Sequence, residues 1–310
     1  VSTTTGHNPG DQFIYKGVMN LLESLDLISD KDSIFLYDRN PDFMKEFPSN
    51  QILEEQYWGN RTNIINWEDI DAVVLAGSPE WLHGPLHHIY EGLSQNPHIP
   101  LLSIGVGYSQ PEVEMSDLEK SVLKRKNTKI ICRSNELREQ VNKILGKQKA
   151  SALPCPAIFA GDGILKTFEH SCGYILQNPK GIQGTGIDVD ITGHEKDAQF
   201  IAFHVNDALY LKNKVKHYYY SWNPDDLLDK ISECRYIQST RLHGAIAALG
   251  MGIPANLICK KGNTRIERAA AMYGPFLPIN EKSSIPEGSL NGLKNQVRVL
   301  YEKELSKWRW

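Results

Sequence analysis

The feature that most restricts how this chain can fold is an alternation between two kinds of segment. Short, near-continuously apolar runs, "SIFLYD" (33–38), "DAVVLAGS" (71–78), "IPLLSIGVG" (99–107) and "TKIICRS" (128–134), are separated by longer amphipathic stretches. A run that is apolar on both faces belongs to a strand inside a parallel sheet, with helices covering both sides. The helical candidates are "DQFIYKGVMNLLESL" (11–25), "EVEMSDLEKSVLKR" (112–125) and "ELREQVNKILG" (136–146), the last stopped by Gly146. The order is α/β.

The alternation runs twice. After "LPCPAIFAGDG" (153–163) it restarts with "CGYILQNP" (172–179), "AQFIAFHV" (198–205), "VKHYYYS" (215–221), "RYIQST" (235–240) and "ANLIC" (255–259). A chain of 310 residues exceeds the usual single core, so two domains are expected, 1–160 and 161–310, joined in the Pro- and Gly-rich stretch. The tail aligns Leu290, Leu293, Val297, Leu300 and Tyr301 on one helical face behind Ser289 as N-cap, a helix expected to pack on one of the domains.

Charge and composition remove several classes of partner. With 34 Lys and Arg against 37 Asp and Glu, the net charge is -3, and nothing recommends nucleic acid. No apolar run nears the ~20 residues of a membrane span, and "VSTTTGHNPGDQF" lacks the layout of a signal peptide. The expected location is the cytoplasm, with a lost upstream targeting segment left open because the chain starts at Val1. The five cysteines are odd in number and contain no Cys-x-x-Cys pair, so buried reduced thiols are expected rather than a disulfide framework or a metal site.

Chemistry enters at "STRLHGAIAALGMGIP" (239–254). Strand, helix and strand in about 25 residues make one parallel crossover unit, whose first loop lies at the carboxyl end of a sheet strand. The helix start at Leu242 to Gly244 offers free amides and a positive dipole end, and Arg241 precedes it, a combination suited to a phosphate or carboxylate. His243, on the first turn, can donate a proton to what is held there. A second reading also stands, in which Arg241 pairs with a structural carboxylate and His243 caps a neighbouring strand.

A second element lies near the start. Gly6, Pro9 and Gly10 force a tight loop before a long amphipathic helix, and Asp11 opens that helix. Asp11 serves as a cap for the helix amides, as a carboxylate able to accept a proton from a hydroxyl, or as both.

Together these segments resemble the polysaccharide pyruvyl transferase family. The residues that carry the resemblance are Asn8-Pro9-Gly10-Asp11, the Ser239-Thr240-Arg241-Leu242-His243-Gly244 signature and the Gly252-Ile253-Pro254 turn. Between and beyond them lie the strand ending at Gly77-Ser78, the Gly105-x-Gly107 turn, the strand that bears Arg133, and "GNTRIERAAAMYG" with Arg265. The chain departs from the family pattern at Ser134, Cys155 and Ser78, where the family often has an acid, an Asp and a Gly. The resemblance implies a glycosyltransferase-B-like fold, two Rossmann-like domains facing each other across a cleft, the first on the acceptor side and the second on the donor side. It implies phosphoenolpyruvate as donor substrate, no further cofactor and no metal. The acceptor it implies is a saccharide or lipid-linked saccharide, with peripheral association at a membrane in the lipid-linked case.

A donor with a phosphate and a carboxylate on three carbons calls for convergent cations. Arg241 and Arg133 are the first candidates, with the helix start at Leu242 and Gly244; Arg265 and Lys260 follow as lone charges near strand ends. His243 is expected to protonate the donor's methylene carbon, and Asp11 to take the acceptor's proton. Asn8, Gly10, Trp81 and His204 are the acceptor-side candidates, Trp81 as a ring for a sugar face. His83, His87 and His88 form no expected metal trio, because Gly84-Pro85 interrupts the helix their spacing needs. "KHYYYSW" (216–222) reads as a strand with alternating aromatics. Two other functions remain open: a nucleotide-sugar glycosyltransferase, with Glu267 as the candidate for a ribose, and a catalytically silent protein of the same fold.

Overall fold

The computed structural model describes residues 2–5, 9–29, 31–35, 38–40, 65–78, 81–82, 86–108, 110, 112–146, 148–180, 187–191, 197–281, 285, 287–306 and 308. The chain forms two compact units, one of residues 1–6, 33–153 and 301–310, the other of residues 7–32 and 154–300.

The first unit holds six parallel strands: β1 (Ser2–Thr5), β2 (Asp38–Asn40), β3 (Val73–Ala76), β4 (Leu101–Val106), β5 (Thr128–Cys132) and β6 (Ala150–Ala152), in the order β2-β1-β3-β4-β5-β6. Every residue of β4 is buried, as its unbroken apolar run requires of a central strand. Helices α2 (His87–Gln95), α3 (Asp117–Leu123) and α4 (Asn135–Leu145) supply Ile89, Leu93, Val122, Leu123, Val141 and Leu145 to the core around it. Gly146 ends α4 at φ 108°, a conformation that only glycine adopts without strain.

The second unit is built on β7 (Cys172–Ile175), β8 (Ala198–Ala202), β9 (Tyr219–Tyr220), β10 (Ile237–Ser239) and β11 (Ala255–Leu257), all parallel, in the order β11-β10-β7-β8-β9. Its helices are α1 (Pro9–Ser24), α5 (Val205–Lys212), α6 (Pro224–Ser232), α7 (Leu242–Gly250), α8 (Thr264–Ala271) and the greater part of α9 (Glu287–Leu305). From β7 the chain moves outward to β8 and β9, then returns to the other side of β7 for β10 and β11. The strand order therefore reverses between β7 and β10, the position at which open α/β sheets bind ligands, outside the strands' carboxyl ends.

The units are not the contiguous halves expected from the sequence. The chain does pass from one to the other at Leu153 and Pro154, but α1 belongs to the second unit. The reason is packing. The α1 face of Phe13, Ile14, Gly17, Val18 and Leu21 is buried, and Asn20 donates to the Phe159 carbonyl at 2.8 Å. A Cβ on Gly17 would lie 1.9 Å from the Pro156 carbonyl oxygen, and one on Gly250 would lie 1.7 Å from that of Ile158. The turn Pro156–Phe159, read from the sequence as a boundary, is thus gripped between α1 and α7 at two glycines.

Three local expectations also change. Ser33–Phe35 form no strand and Ile34 and Phe35 are exposed; the pairing stretch is β2, an edge strand whose register with β1 starts at Asp38. The last helix starts at Glu287, before Ser289, and Leu300 is exposed while Leu290, Leu293, Val297 and Tyr301 are buried. That helix divides after Leu300 between the two units instead of belonging to one. Among the described residues, no helix is long and apolar enough to cross a membrane.

Candidate functional site at the carboxyl edge of the second sheet

Because the second sheet is parallel, the loops after β7, β8 and β10 emerge along one edge. Asp207, which the sequence reading did not single out, ties all three together. Its Oδ1 accepts from the Asn178 amide at 3.0 Å, beyond β7. Its Oδ2 accepts from the His204 amide at 3.2 Å, at the β8–α5 junction, and from Arg241 beyond β10. The signal was there in principle: His204-x-x-Asp207 has the spacing by which an acid at the third helical position bonds the N-cap amide.

Arg241 is held by Nε at 2.9 Å and Nη2 at 2.6 Å from one carboxylate oxygen, with its side chain 15% exposed and that of Asp207 only 1%. This corrects the picture of a lone cation waiting for an anion. The guanidinium is half of a buried ion pair, the alternative the sequence left open, and its charge is largely balanced. The pair fixes where the fork points, and Nη1 hydrogen-bonds no described residue. The backbone is fixed as well. Ser239 Oγ accepts from the Arg241 amide at 2.9 Å and donates to its carbonyl at 2.7 Å, while Thr240 Oγ1 accepts from the Gln177 amide at 2.7 Å.

The first turn of α7 carries Leu242, buried, and His243, partly exposed. Its leading amides have no carbonyl one turn earlier in the helix to bond. Gly244 is required by close approach: a Cβ there would lie 2.8 Å from Ile175 Cδ1 and 3.0 Å from Phe203 Cζ. Phe203 also meets Phe13 of α1 edge to face, with centroids 5.3 Å apart. One buried ring therefore packs beside Gly244 in the first turn of α7, next to His243, and against Phe13 of α1, two residues past Asp11. Gly10 and Asp11 are buried, and His204 follows Phe203 partly exposed at the edge. Asn8 and His83 lie outside the described residues.

Lys260 and Arg265 are exposed at the same edge, Lys260 in the loop after β11 and Arg265 in the first turn of α8. Glu267 Oε1 accepts from the Gly262 amide at 2.9 Å, so one oxygen of the candidate ribose ligand already holds its own loop.

In the first unit Arg133 leaves β5 buried, its guanidinium pressed on Gly107: a Cβ on that glycine would lie 2.2 to 2.4 Å from its Nη2, Cζ and Nε. Ser78 Oγ donates to the Gly107 carbonyl at 2.6 Å, so the serine that replaces a family glycine fastens the arginine's seat. Ser134, where the family often has an acid, is the N-cap of α4 and accepts from the Leu137 amide at 3.3 Å. Trp81 is a correction. It is 3% exposed, its Nε1 donates to the Tyr90 hydroxyl at 2.8 Å, and its ring belongs to the core, leaving no face for a sugar.

Burial pushes the Cys132 and Cys234 thiols up to about 12, so both are neutral near pH 7. Among the described residues one group could hold a cation, Glu169, His170 and Glu233. It lies ahead of β7 and β10, at the opposite end of the sheet from Arg241, and the Lys230 ammonium already takes Glu233 Oε1 at 2.6 Å.

Residues 8–258 match the family model of the polysaccharide pyruvyl transferases. The chain belongs to that family. Its signature, Ser239 to Gly244, accordingly falls where the second sheet reverses its strand order. No curated protein matches the chain in sequence. Among solved structures it is similar to a protein of Listeria monocytogenes assigned as a UDP-N-acetylglucosamine 2-epimerase, at 12% identity and a TM-score of 0.55 over 94% of this chain and 86% of that one. It is also similar to MnaA of S. aureus in its UDP complex, at 10% identity and a TM-score of 0.52 over 98% and 86%. These likenesses concern the fold, two Rossmann-like units of the glycosyltransferase-B-like class.

Proposed function

We propose that this family member transfers the pyruvate unit of phosphoenolpyruvate to two hydroxyls of a saccharide, forming a pyruvate ketal and releasing phosphate. The observation that supports it most is the family's Arg-Leu-His-Gly element at the strand-order reversal, with a proton donor on the first turn of a helix. Anions are favoured at such a helix start. In this reading Arg241, steered by Asp207, directs its remaining N–H groups to the donor, and Leu242 to Gly244 offer backbone amides. Arg265 and Lys260, at the same edge of the second sheet, add positive charge.

His243 gives its proton to the methylene carbon of the enol phosphate, and the cation formed at the adjacent carbon is attacked by the first sugar hydroxyl. Asp11 takes the proton of that hydroxyl. The second hydroxyl then displaces phosphate and closes the ketal, its proton leaving with the departing phosphate, and the proton donated to carbon becomes part of the product's methyl group. His204 and Gly10 lie toward the acceptor. No further cofactor or metal is needed for this sequence of steps. The donor is a cytoplasmic metabolite, which puts the reaction in the cytoplasm. The acceptor is a free or lipid-linked saccharide, with the protein at the membrane surface in the second case.

The test is turnover with phosphoenolpyruvate carrying 13C at its methylene carbon, supplied with oligosaccharides. The reading expects a labelled ketal methyl group, with phosphate released only when saccharide is present and both signals lost in His243→Asn. Full turnover by His243→Asn would remove the histidine from its role. The similarity in fold to MnaA in its UDP complex motivates one other reading, a nucleotide-sugar donor at the same helix start. Sugar transfer from a UDP-sugar with release of UDP, and no ketal methyl or phosphate from phosphoenolpyruvate, would favour it.

A further inference from the structure

Beyond the donor site, the second sheet ends in a strand with an unusual outer face. From Tyr218 to Trp222 the chain alternates between exposed and covered residues. Tyr218, Tyr220 and Trp222 are 36%, 40% and 62% exposed, while Tyr219 is partly buried against Lys230 and Ser221 is buried. Tyr220 lies in β9, Tyr218 just before it and Trp222 two residues past it, so the three exposed rings follow one another along the outermost strand of the sheet toward its carboxyl end. An edge strand normally guards such a face with charge or a bulge. This one shows a row of aromatics.

The row is held rigidly at its Trp222 end. Ser221 Oγ donates to Asp226 at 2.8 Å and accepts from the Asn223 amide at 3.0 Å. Asn223 caps α6 through the Asp225 amide at 3.0 Å, and Asp225 pairs with Lys16 of α1 at 2.5 Å. The indole therefore projects from a turn fastened on both sides and to the helix that carries Asp11. Its position is also defined. Tyr219 pairs with Ile201 and Tyr220 with Ala202 in parallel, so Trp222, two residues past the end of β9, lies at the carboxyl edge of the sheet, the edge at which His204 follows β8.

We propose that Tyr218, Tyr220 and Trp222 form a track for a saccharide chain, with Trp222 passing its end to the edge where His204 and Arg241 stand. This rests on the reading of the protein as acting on a saccharide. The chemistry fits: sugar rings present apolar C–H faces that lie on aromatic rings, while their hydroxyls remain in water, and rigid rings cost little entropy to order. The track makes an extended oligosaccharide, rather than a single sugar, the preferred acceptor. Three exposed side chains of this kind are positioning residues for the acceptor and leave the donor site untouched.

The experiment is binding of the labelled protein to an array of immobilised oligosaccharides of graded length, for wild type, Trp222→Ala, Trp222→Phe and Tyr220→Ala. The proposal expects chains to bind better than monosaccharides and about a tenfold loss of signal in Trp222→Ala. It also expects a smaller loss in Tyr220→Ala, partial recovery in Trp222→Phe and an unchanged thermal shift with phosphoenolpyruvate. Equal binding by Trp222→Ala, no preference for length, or no binding to any glycan would overturn it. So would Trp222-dependent sedimentation with phosphatidylglycerol vesicles, or a Trp222-dependent dimer, in place of glycan binding. A failure of donor chemistry with glycan binding intact would sink only the donor reading.

Discussion

Arg241 and Arg133 both leave the carboxyl end of a parallel strand, yet the second unit fixes its arginine with a buried acid and the first seats its arginine on a glycine. Asp207 bonds Arg241 and two loop amides at once, so charge, loop geometry and helix start are coupled in one residue. At Gly107 the constraint is steric, a bare α-carbon under a flat guanidinium, with Ser78 holding the peptide. The difference teaches that one arginine is aimed by a carboxylate that also ties its loops together, while the other depends on a bare α-carbon that leaves room for its plane. It also predicts unequal sensitivity to substitution.

The largest effect is expected from Asp207→Ala. It leaves the Arg241 charge with no acid and frees the His204 and Asn178 amides, at a cost of about 3 to 5 kcal/mol in urea unfolding. Adding Arg241→Ala should recover part of that loss, because the two residues act as a pair; simple additivity would break the account of the ion pair. Gly107→Ala should cost less, about 1 to 3 kcal/mol, because the group it strikes is a side chain that can move. A crystal structure of that variant should show the Arg133 guanidinium displaced, and an unmoved guanidinium would refute the steric seat. Ser134→Ala removes a helix cap and should cost about 1 kcal/mol.

The smallest effect near neutrality comes from the buried thiols, and it emerges only in alkali. Cys132 in the first unit and Cys234 in the second are held protonated by burial, with pKa values raised from 9.0 to about 12. Above pH 9 an unfolded chain loses these protons while the folded chain keeps them. Stability should therefore be flat with respect to these groups below pH 9 and fall progressively from pH 9 to 12. Urea midpoints across that range should show the fall, and Cys234→Ala should make it shallower.

Much of this was legible in the chain. Continuous apolar runs gave most of the central strands, and "TRLHG" marked the helix start at the right edge. Short or edge elements were not legible, because β1, β6 and β2 lack the long apolar runs that central burial demands. The domain assignment of α1 was hidden for another reason: its partners, Pro156–Phe159 and α7, are more than a hundred residues away, and only the fit at Gly17 and Gly250 reveals the match. Asp207 escaped notice because a single acid near a helix start looks like any cap. Trp81 misled because a tryptophan after a strand end carries no sign of whether its ring turns inward.

The most direct measurement is a thermal shift with phosphoenolpyruvate beside UDP- and GDP-sugars, on wild type and on Arg241→Lys, which keeps a cation for Asp207 but loses the fork. A ligand that binds only the folded protein raises its melting temperature. The account predicts a rise with phosphoenolpyruvate alone, much reduced in Arg241→Lys. A rise only with a nucleotide sugar, or an equal rise with phosphoenolpyruvate in the variant, would contradict it.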